Sequence, residues 1–299
     1  MSEIMSKQKL LLIDGSSLLF RGYYGTERQI NRFIAKTGEH TNAVAMVHRM
    51  LEGAFSRIQP THALVAFDTA EQTFRSSMYP EYKGNRSEPP AALGPQFALV
   101  QEMLPLLGIP EYHKVGYEAD DIIGTLASQS DDQSFDVVVL SGDRDLTQLV
   151  NKHVTVEITL RGVSEVERYT PEYFFEKNGI IPAQVPDVKG LAGDSSDNIP
   201  GVTKIGEKTA IKLLKEYGTI EKIYENIDEL KASKMKEHLI EDKEIAFLSK
   251  ELATIVSDMP LPFLPEDLVL AGIPDKDRLL QFYDLMNMTN EHRKLSLRE

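Results

Sequence analysis

Residues 136–145 read Asp136-Val137-Val138-Val139-Leu140-Ser141-Gly142-Asp143-Arg144-Asp145. A short unbroken apolar run bounded by turn residues fits a strand buried on both faces of a parallel sheet. Two other runs have the same form and the same ending: Leu10-Leu11-Leu12-Ile13 stops at Asp14, and Ala63-Leu64-Val65-Ala66-Phe67 stops at Asp68. Stretches of helical period lie between, at 43–58 and 97–107. Strand, helix, strand alternation predicts an α/β fold with a parallel sheet. Ligands of such sheets bind beyond the carboxyl ends of the strands. All three Asp residues are therefore expected at one edge.

More acids join them. Glu118, Asp120 and Asp121 open a predicted helix whose apolar face is Ile122, Ile123 and Leu126. Asp143 and Asp145 precede a short helix running to Val150, and 154–169 reads as a hairpin with Arg161-Gly162 at its middle. Beyond 182–186 the pattern turns mostly helical, and Asp194 and Asp197 fall there. Taken singly, each acid has an ordinary reading as a turn former, a helix cap or a first-turn charge. Taken together they form a carboxylate cluster with no Cys, Ser-triad or paired-His pattern beside it. Like charges so close repel. Hard divalent cations with oxygen ligands, Mg2+ or Mn2+, relieve that repulsion. Two such ions roughly 4 Å apart suit phosphodiester hydrolysis, in which nucleophile, phosphate and leaving oxygen are all anionic.

The 299 residues suit two domains or one large α/β domain, at about 150 residues per domain. Apolar residues at 41% and charged residues at 26% argue for a folded globular chain. With no cysteine, disulfides, zinc–thiolate sites and cysteine nucleophiles are excluded. Leu10 to Ile13 is too short for a secretory signal core, and no run approaches the roughly 18 residues of a spanning helix. No membrane partner and a cytoplasmic setting are expected. The net charge of −13, from 33 basic and 46 acidic residues, argues at first sight against a nucleic-acid partner. One stretch is locally basic. Gly201-Val202-Thr203-Lys204-Ile205-Gly206 precedes a predicted helix at 208–217, and lysines stand at 204, 208, 212, 215 and 222. A glycine hairpin between helices aims N–H groups at a phosphate. The tail from 260 has a proline-rich start and one amphipathic stretch at 278–286.

Five segments, in order, carry a resemblance: LLLIDGSSLLFRGYY (10–24), AFDTAEQTFRSSMYPEYKGNR (66–86), YEADDIIGTLA (117–127), SGDRDLTQLV (141–150) and GDSSDNIPGVTKIGEKTAIKLL (193–214). The chain resembles the 5′ nucleases of the flap endonuclease superfamily. It is most similar to the bacterial type, found as stand-alone 5′–3′ exonucleases and as the N-terminal domain of DNA polymerase I. The resemblance implies a PIN-like α/β core at 1–182, with a central mostly parallel sheet flanked by helices and a helical arch at about 71–95. It implies a helical region at 183–299 with a helix-hairpin-helix-type element at about 186–220.

By the same resemblance nine carboxylates bind two divalent cations. Asp14, Asp68, Glu118 and Asp120 fall nearer one ion, and Asp143, Asp145, Asp194 and Asp197 nearer the other, with Asp121 completing the set. Asp14, Asp68, Asp120 and Asp143 count as catalytic through the metals. Setting nine site charges aside reduces the net charge from −13 to −4, which removes the objection to a DNA partner. Lys83 and Arg86 match catalytic residues over the scissile phosphate, with Arg75 a weaker candidate. From spacing alone, Lys83 and Arg86 read as a solvated turn among Glu71, Glu81 and Glu88. Phe20 and Tyr82 match base-stacking positions, and Arg21 a phosphate contact; core packing is the competing reading of Phe20. Gly201, Lys204, Gly206, Lys208 and Thr209 match the hairpin that grips duplex phosphates, where relatives can hold K+. The implied activity is metal-dependent cleavage of DNA at a 5′ flap, 5′ overhang or nick in replication and repair. A monomer is expected, as are a bacterial, nucleoid-associated location and a DNA polymerase acting on the same intermediates. Two rivals remain at this stage: a PIN-like ribonuclease, and a non-catalytic structure-specific DNA-binding protein.

Overall fold

The structure is a computed structural model that describes residues 7–161 and 165–297. From the N-terminus run β1 (Gln8–Asp14), α1 (Gly15–Thr26), α2 (Asn42–Ile58), β2 (His62–Phe67), α3 (Phe74–Met78), α4 (Gly94–Leu106), β3 (Glu111–His113), α5 (Ala119–Gln129) and β4 (Phe135–Ser141). A 3-10 turn at Arg144–Leu149 leads to β5 (Val154–Arg161), β6 (Glu165–Tyr169), α6 (Pro171–Asn178) and α7 (Val185–Ala192). Then come α8 (Glu207–Tyr217), α9 (Ile220–Glu225), α10 (Lys234–Glu241), α11 (Lys243–Ala253), α12 (Lys276–Leu285) and α13 (Thr289–Ser296). Gly162, expected at the tip of the hairpin, lies outside the described residues.

One six-stranded sheet has the order β3-β2-β1-β4-β5-β6. All neighbours pair parallel except β5 and β6. The three apolar runs are the three adjacent strands β2, β1 and β4. Their side chains alternate between two cores, which is why the runs are unbroken. Leu11, Ile13, Val65, Phe67, Val138 and Leu140 join one core, shared with α1, α2, α4 and the terminal helices α12 and α13. Leu10, Leu12, Leu64, Ala66, Val137 and Val139 join the other, against α5. A third cluster is built from α7 to α11 around Leu191, Leu213, Leu214 and Ile220. Among the described residues no helix is long and apolar enough to cross a membrane.

Strand order reverses about β1, with β2 on one side and β4 on the other. Asp14 pairs with Ala66, two residues short of Asp68, and Ile13 pairs with Leu140, three short of Asp143. The sheet thus delivers the three acids to its topological switch point, where such folds open a crevice.

Residues 71–95 differ from the expected helical arch. They hold one five-residue helix, α3, followed by turns over 80–85. The segment is folded down onto the acidic edge. Lys83 N–H donates to the Asp197 carbonyl at 2.9 Å, Asn85 Nδ2 to the Ser195 carbonyl at 2.7 Å, and Asn198 Nδ2 to the Glu81 carbonyl at 2.7 Å. The reason is electrostatic, since Lys83 and Arg86 reach carboxylates on α5 and in the 193–201 loop. Pro89 and Pro90 also interrupt any helix between α3 and α4.

That loop is closed by two glycines. Asp194 and Ile199 exchange both backbone hydrogen bonds at 2.8 Å. Gly201 has φ 65°, and a Cβ there would lie 2.1 Å from Gly193 N. The two backbones touch, which only glycine allows. Gly201→Ala is expected to destabilise the fold by about 2 kcal/mol or more. Urea unfolding checks this, and an unchanged midpoint would contradict it.

Candidate active site

Asp14 ends β1 and caps α1. Its carboxylate accepts Ser17 N–H at 2.9 Å and the buried Ser141 hydroxyl at 2.6 Å. Ser141 Oγ also accepts Asp143 N–H at 2.9 Å, so one hydroxyl couples the ends of β1 and β4. Asp68 follows β2, and its carboxylate accepts Ala119 N–H at 2.9 Å, pinning α5 to the same edge. Asp120 lies in the first turn of α5. Burial, then Asp68, pushes the Asp14 carboxyl up to about 7. Burial, followed by Asp143, Asp14 and Asp68, raises Asp120 well above the usual carboxylate range. These groups lack the positive charge that their ionised forms need.

The other acids are met by cations of the chain. Lys83 Nζ donates to Glu118 at 2.9 Å, and Arg86 Nη2 donates to Asp197 at 2.5 Å. Lys189, on α7, donates to both Asp145 and Asp194. For Asp145, burial and Asp143 prevail over Lys189, and its carboxyl rises to about 6. Asp194 is also penalised by burial, but Lys189 and Ser196 hold it down at about 2. The gap between Arg75, Lys83, Glu118, Asp120, Asp145 and Asp197 measures 10 Å³, roughly the space of one water. Lys189 and Ser141 were not singled out from the sequence. Their only signals are local: a lysine five residues before Asp194, and a serine closing the β4 run.

Three sequence-based assignments are revised. Asp121 is fully buried, and its two oxygens accept four hydrogen bonds, from Arg75 Nη1 and Nη2, Glu118 N–H and Val256 N–H. No lone pair is left for a metal, so Asp121 is a structural counter-ion and a member of a capping box. Arg75 is its partner and not a phosphate contact. Its five N–H groups go to Asp121 twice, Glu118, and the carbonyls of Leu252 and Thr254. Tyr82 is buried, with its hydroxyl on Glu118 at 3.2 Å and Asp197 at 3.4 Å, so its ring is closed to a base.

The remaining nucleic-acid candidates divide. Phe20 is half-buried, edge-on to Phe97 with ring centroids 5.9 Å apart, and borders two open clefts. Arg21 donates to the carbonyls of Thr159 and Leu160, tying α1 to β5, and lines one of those clefts. Gly201 donates its N–H to the buried Ser249 hydroxyl at 3.0 Å, so it shapes the hairpin without gripping a phosphate. Lys204 and Lys208 are exposed beside Gly206, which caps α8, and Thr209 is half-buried. Helix geometry leaves the first N–H groups of α8 without intrahelical partners.

A family model for the 5′–3′ exonuclease N-terminal resolvase-like domain matches residues 9–179, and one for the 5′–3′ exonuclease C-terminal SAM fold matches 180–276. The chain belongs to the 5′–3′ exonuclease family. Its relatives include DNA polymerase I of Streptococcus pneumoniae strain R6, 50% identical over 293 residues, or 98% of this chain and 33% of that protein. DNA polymerase I of Bacillus subtilis is 46% identical over 279 residues, 93% of this chain and 31% of that protein. The chain thus spans about a third of the length of these relatives. The same fold occurs in T5 5′-exonuclease with bound zinc, at TM-score 0.66 and 21% identity, covering 96% of this chain and 99% of that one. It occurs also in the catalytic core of Rad2 in complex with DNA substrate, at TM-score 0.58 and 15% identity, covering 98% and 93%.

Among the described residues no three acid or imidazole groups converge in the arrangement that already holds an ion. Lysine and arginine stand between the carboxylates instead. The donor set nevertheless fits a hard divalent cation. It is all oxygen, and Asp14, Asp120 and Asp145 are buried acids whose mutual repulsion a cation would cancel. The sign of the pH effect follows. A carboxyl raised in the folded state favours folding while protonated, and that contribution disappears as pH rises from about 4 to about 7 for Asp14. In chelator at pH 8, Asp14→Asn is therefore expected to melt at a higher temperature than the unaltered chain, and the gap should close by pH 4 to 5. A gap that does not change with pH would show that Asp14 is not under this strain.

Proposed function

We propose that this 5′–3′ exonuclease family member is a divalent-cation-dependent nuclease. Its substrate is DNA carrying a 5′ end or 5′ flap at a duplex junction. The observation that carries the reading is the under-neutralised cluster of Asp14, Asp68, Asp120 and Asp143 at the strand switch point. Asp145, on the 3-10 turn after β4, and Asp194 and Asp197, on the loop after α7, adjoin it. Mg2+ or Mn2+ would be held by these seven carboxylates with Glu118 at the margin. Bound there, the ions supply charge neutralisation and an activated water.

The chain's own residues do the rest. Lys83 and Arg86 bring positive charge over the carboxylates and stabilise charge developing on the scissile phosphate. Both are now engaged with Glu118 and Asp197, so a phosphate must displace the 79–86 segment to enter. Ser141 orients Asp14 and Asp143 together. Lys204, Lys208 and the first turn of α8 hold the phosphates of the downstream duplex, with K+ as a bridging ion there. That the relatives are named DNA polymerase I supports a DNA polymerase acting on the same intermediates. A monomer in the bacterial cytoplasm suffices for this work.

A 5′-labelled DNA flap is expected to be cut near its junction with Mg2+, and neither in EDTA nor by Asp143→Asn. Lys83→Ala should slow single-turnover cutting by about 10²-fold or more, as for a lost electrostatic stabiliser. Cutting that survives EDTA would remove the metal mechanism. Tight flap binding with no cutting would favour a binding protein, and preference for a matched RNA flap a ribonuclease. Lys204→Ala with Lys208→Ala should weaken duplex binding and reduce its salt slope by roughly 2. An unchanged slope would take these lysines out of the interface.

A further inference from the structure

A cleft of 370 Å³ joins the carboxylate edge to the hairpin helix α8. Asp145 and Asp194 of the acidic edge line it, and so does Glu207 in the first turn of α8. Its apolar lining comes from α6, α7 and α8: Phe174 is buried, and Val188 and Ile211 are half-buried. One exposed cation, Arg144, stands in the same lining.

Arg144 lies between Asp143 and Asp145 and opens the 3-10 turn. Such a turn has three residues per revolution, so successive side chains point roughly 120° apart. Arg144 therefore faces away from the cluster that its two neighbours join. Its backbone is fixed by Asp145 N–H donating to the Asp143 carboxylate at 2.9 Å and by the Thr147 hydroxyl donating to the Arg144 carbonyl at 2.6 Å. The side chain is 64% exposed, and its one ion pair among the described residues is with Glu167 at 3.7 Å, too long for a hydrogen bond. Glu167 is already served by Lys177 and by the hydroxyls of Tyr173 at 2.6 Å and Tyr169 at 2.9 Å. The other cations of the site differ. Arg75, Lys83, Arg86 and Lys189 each donate to a carboxylate. Lys189 also offsets the two aspartates that line the cleft, and Glu207 is exposed next to Lys208.

We propose that Arg144 binds a phosphate of the cut strand on the duplex side of the scissile bond. This rests on the nuclease reading and adds a contact between its two ends, the metal carboxylates and the α8 hairpin. A strand held at α8 and cut at the carboxylates crosses the cleft that joins them. The planar guanidinium fork matches two oxygens of one phosphate. A phosphate contact fixes the position of the strand and reads no sequence. Because the same rigid turn carries Asp143 and Asp145, the grip on the strand and the cutting centre are held in one register.

The test uses 5′-flap DNA in which each of the first five linkages on the duplex side of the junction is replaced in turn by an uncharged methylphosphonate. Binding to the full chain is measured in EDTA. Arg144→Ala should weaken binding of all-phosphate DNA by roughly ten-fold and reduce its salt slope by about 1. Arg144→Lys, which keeps the charge, should restore the slope. At one linkage the methylphosphonate should weaken binding by the unaltered chain and have no further effect on Arg144→Ala, while the other linkages behave alike in both. Arg144 is exposed, so its variants test the contact without disturbing the core. Unchanged affinity and slope in Arg144→Ala overturn the contact. So do methylphosphonate penalties that are the same in both proteins at every linkage. Either result leaves the nuclease reading standing if Mg2+-dependent cutting persists. Absence of both binding and cutting in the unaltered chain overturns both.

Discussion

Burying Asp14 beside Asp68 and Asp143 costs free energy in any protein without positive charge between them. The parallel sheet makes the arrangement unavoidable. Three adjacent strands run into an Asp at or just past their ends, their register is fixed by two-sided burial, and a one-residue slip would turn every apolar side chain to the wrong core. The acids therefore cannot separate without unfolding the sheet. Other features can be read as responses to that constraint. Ser141 shares its hydroxyl between two strand ends. Lys189 spans Asp145 and Asp194. The 79–86 segment brings Lys83 and Arg86 down over α5 and the 193–201 loop.

These responses differ in how easily they can be undone. Arg75 and Asp121 use every donor and every lone pair on each other and on nearby groups, in a site closed to water. Removing either partner would strand a buried charge, so the pair is permanent. Lys83 sits in the left-handed region, at φ 55°, and its part-buried side chain meets Glu118 at 2.9 Å and Asp197 at 4.0 Å. A residue held in strained backbone by contacts that a cation or phosphate can replace is poised to move. The same edge thus combines a fixed ion pair that secures the framework with a releasable one that faces the substrate.

The sheet and its acids were legible because burial on both faces writes itself as unbroken apolar runs, and because turn residues mark where each run stops. Composition and spacing could not tell Asp120 from Asp121. The neighbours face different ways from one helical turn, one toward the strand ends and one into a guanidinium held by residues 177 and 179 positions further along. Arg75 and Tyr82 were misread for the same reason: their partners are distant in sequence. The segment at 71–95 carries balanced charge and no periodic pattern, so its descent onto the carboxylates is a tertiary effect. Gly201 stands out in the sequence as a hairpin glycine, but it packs on the backbone of Gly193 and donates its N–H to Ser249.

The return of the chain to its beginning has a kinetic side. Residues 268–270 pair with 61–63 at the start of β2, through Ala63 N–H to the Leu268 carbonyl and Leu270 N–H to the Thr61 carbonyl. Leu279, Phe282 and Leu295 then fill the core beneath α1, α2 and α4. A ribosome making this chain releases α1 and α2 long before the side chains that cover them exist. Contacts of such sequence separation slow folding and leave apolar surface open in the interval. This layer is thus closed by residues more than 200 positions from α1 and α2, and the order of synthesis, as much as stability, bears on when it closes.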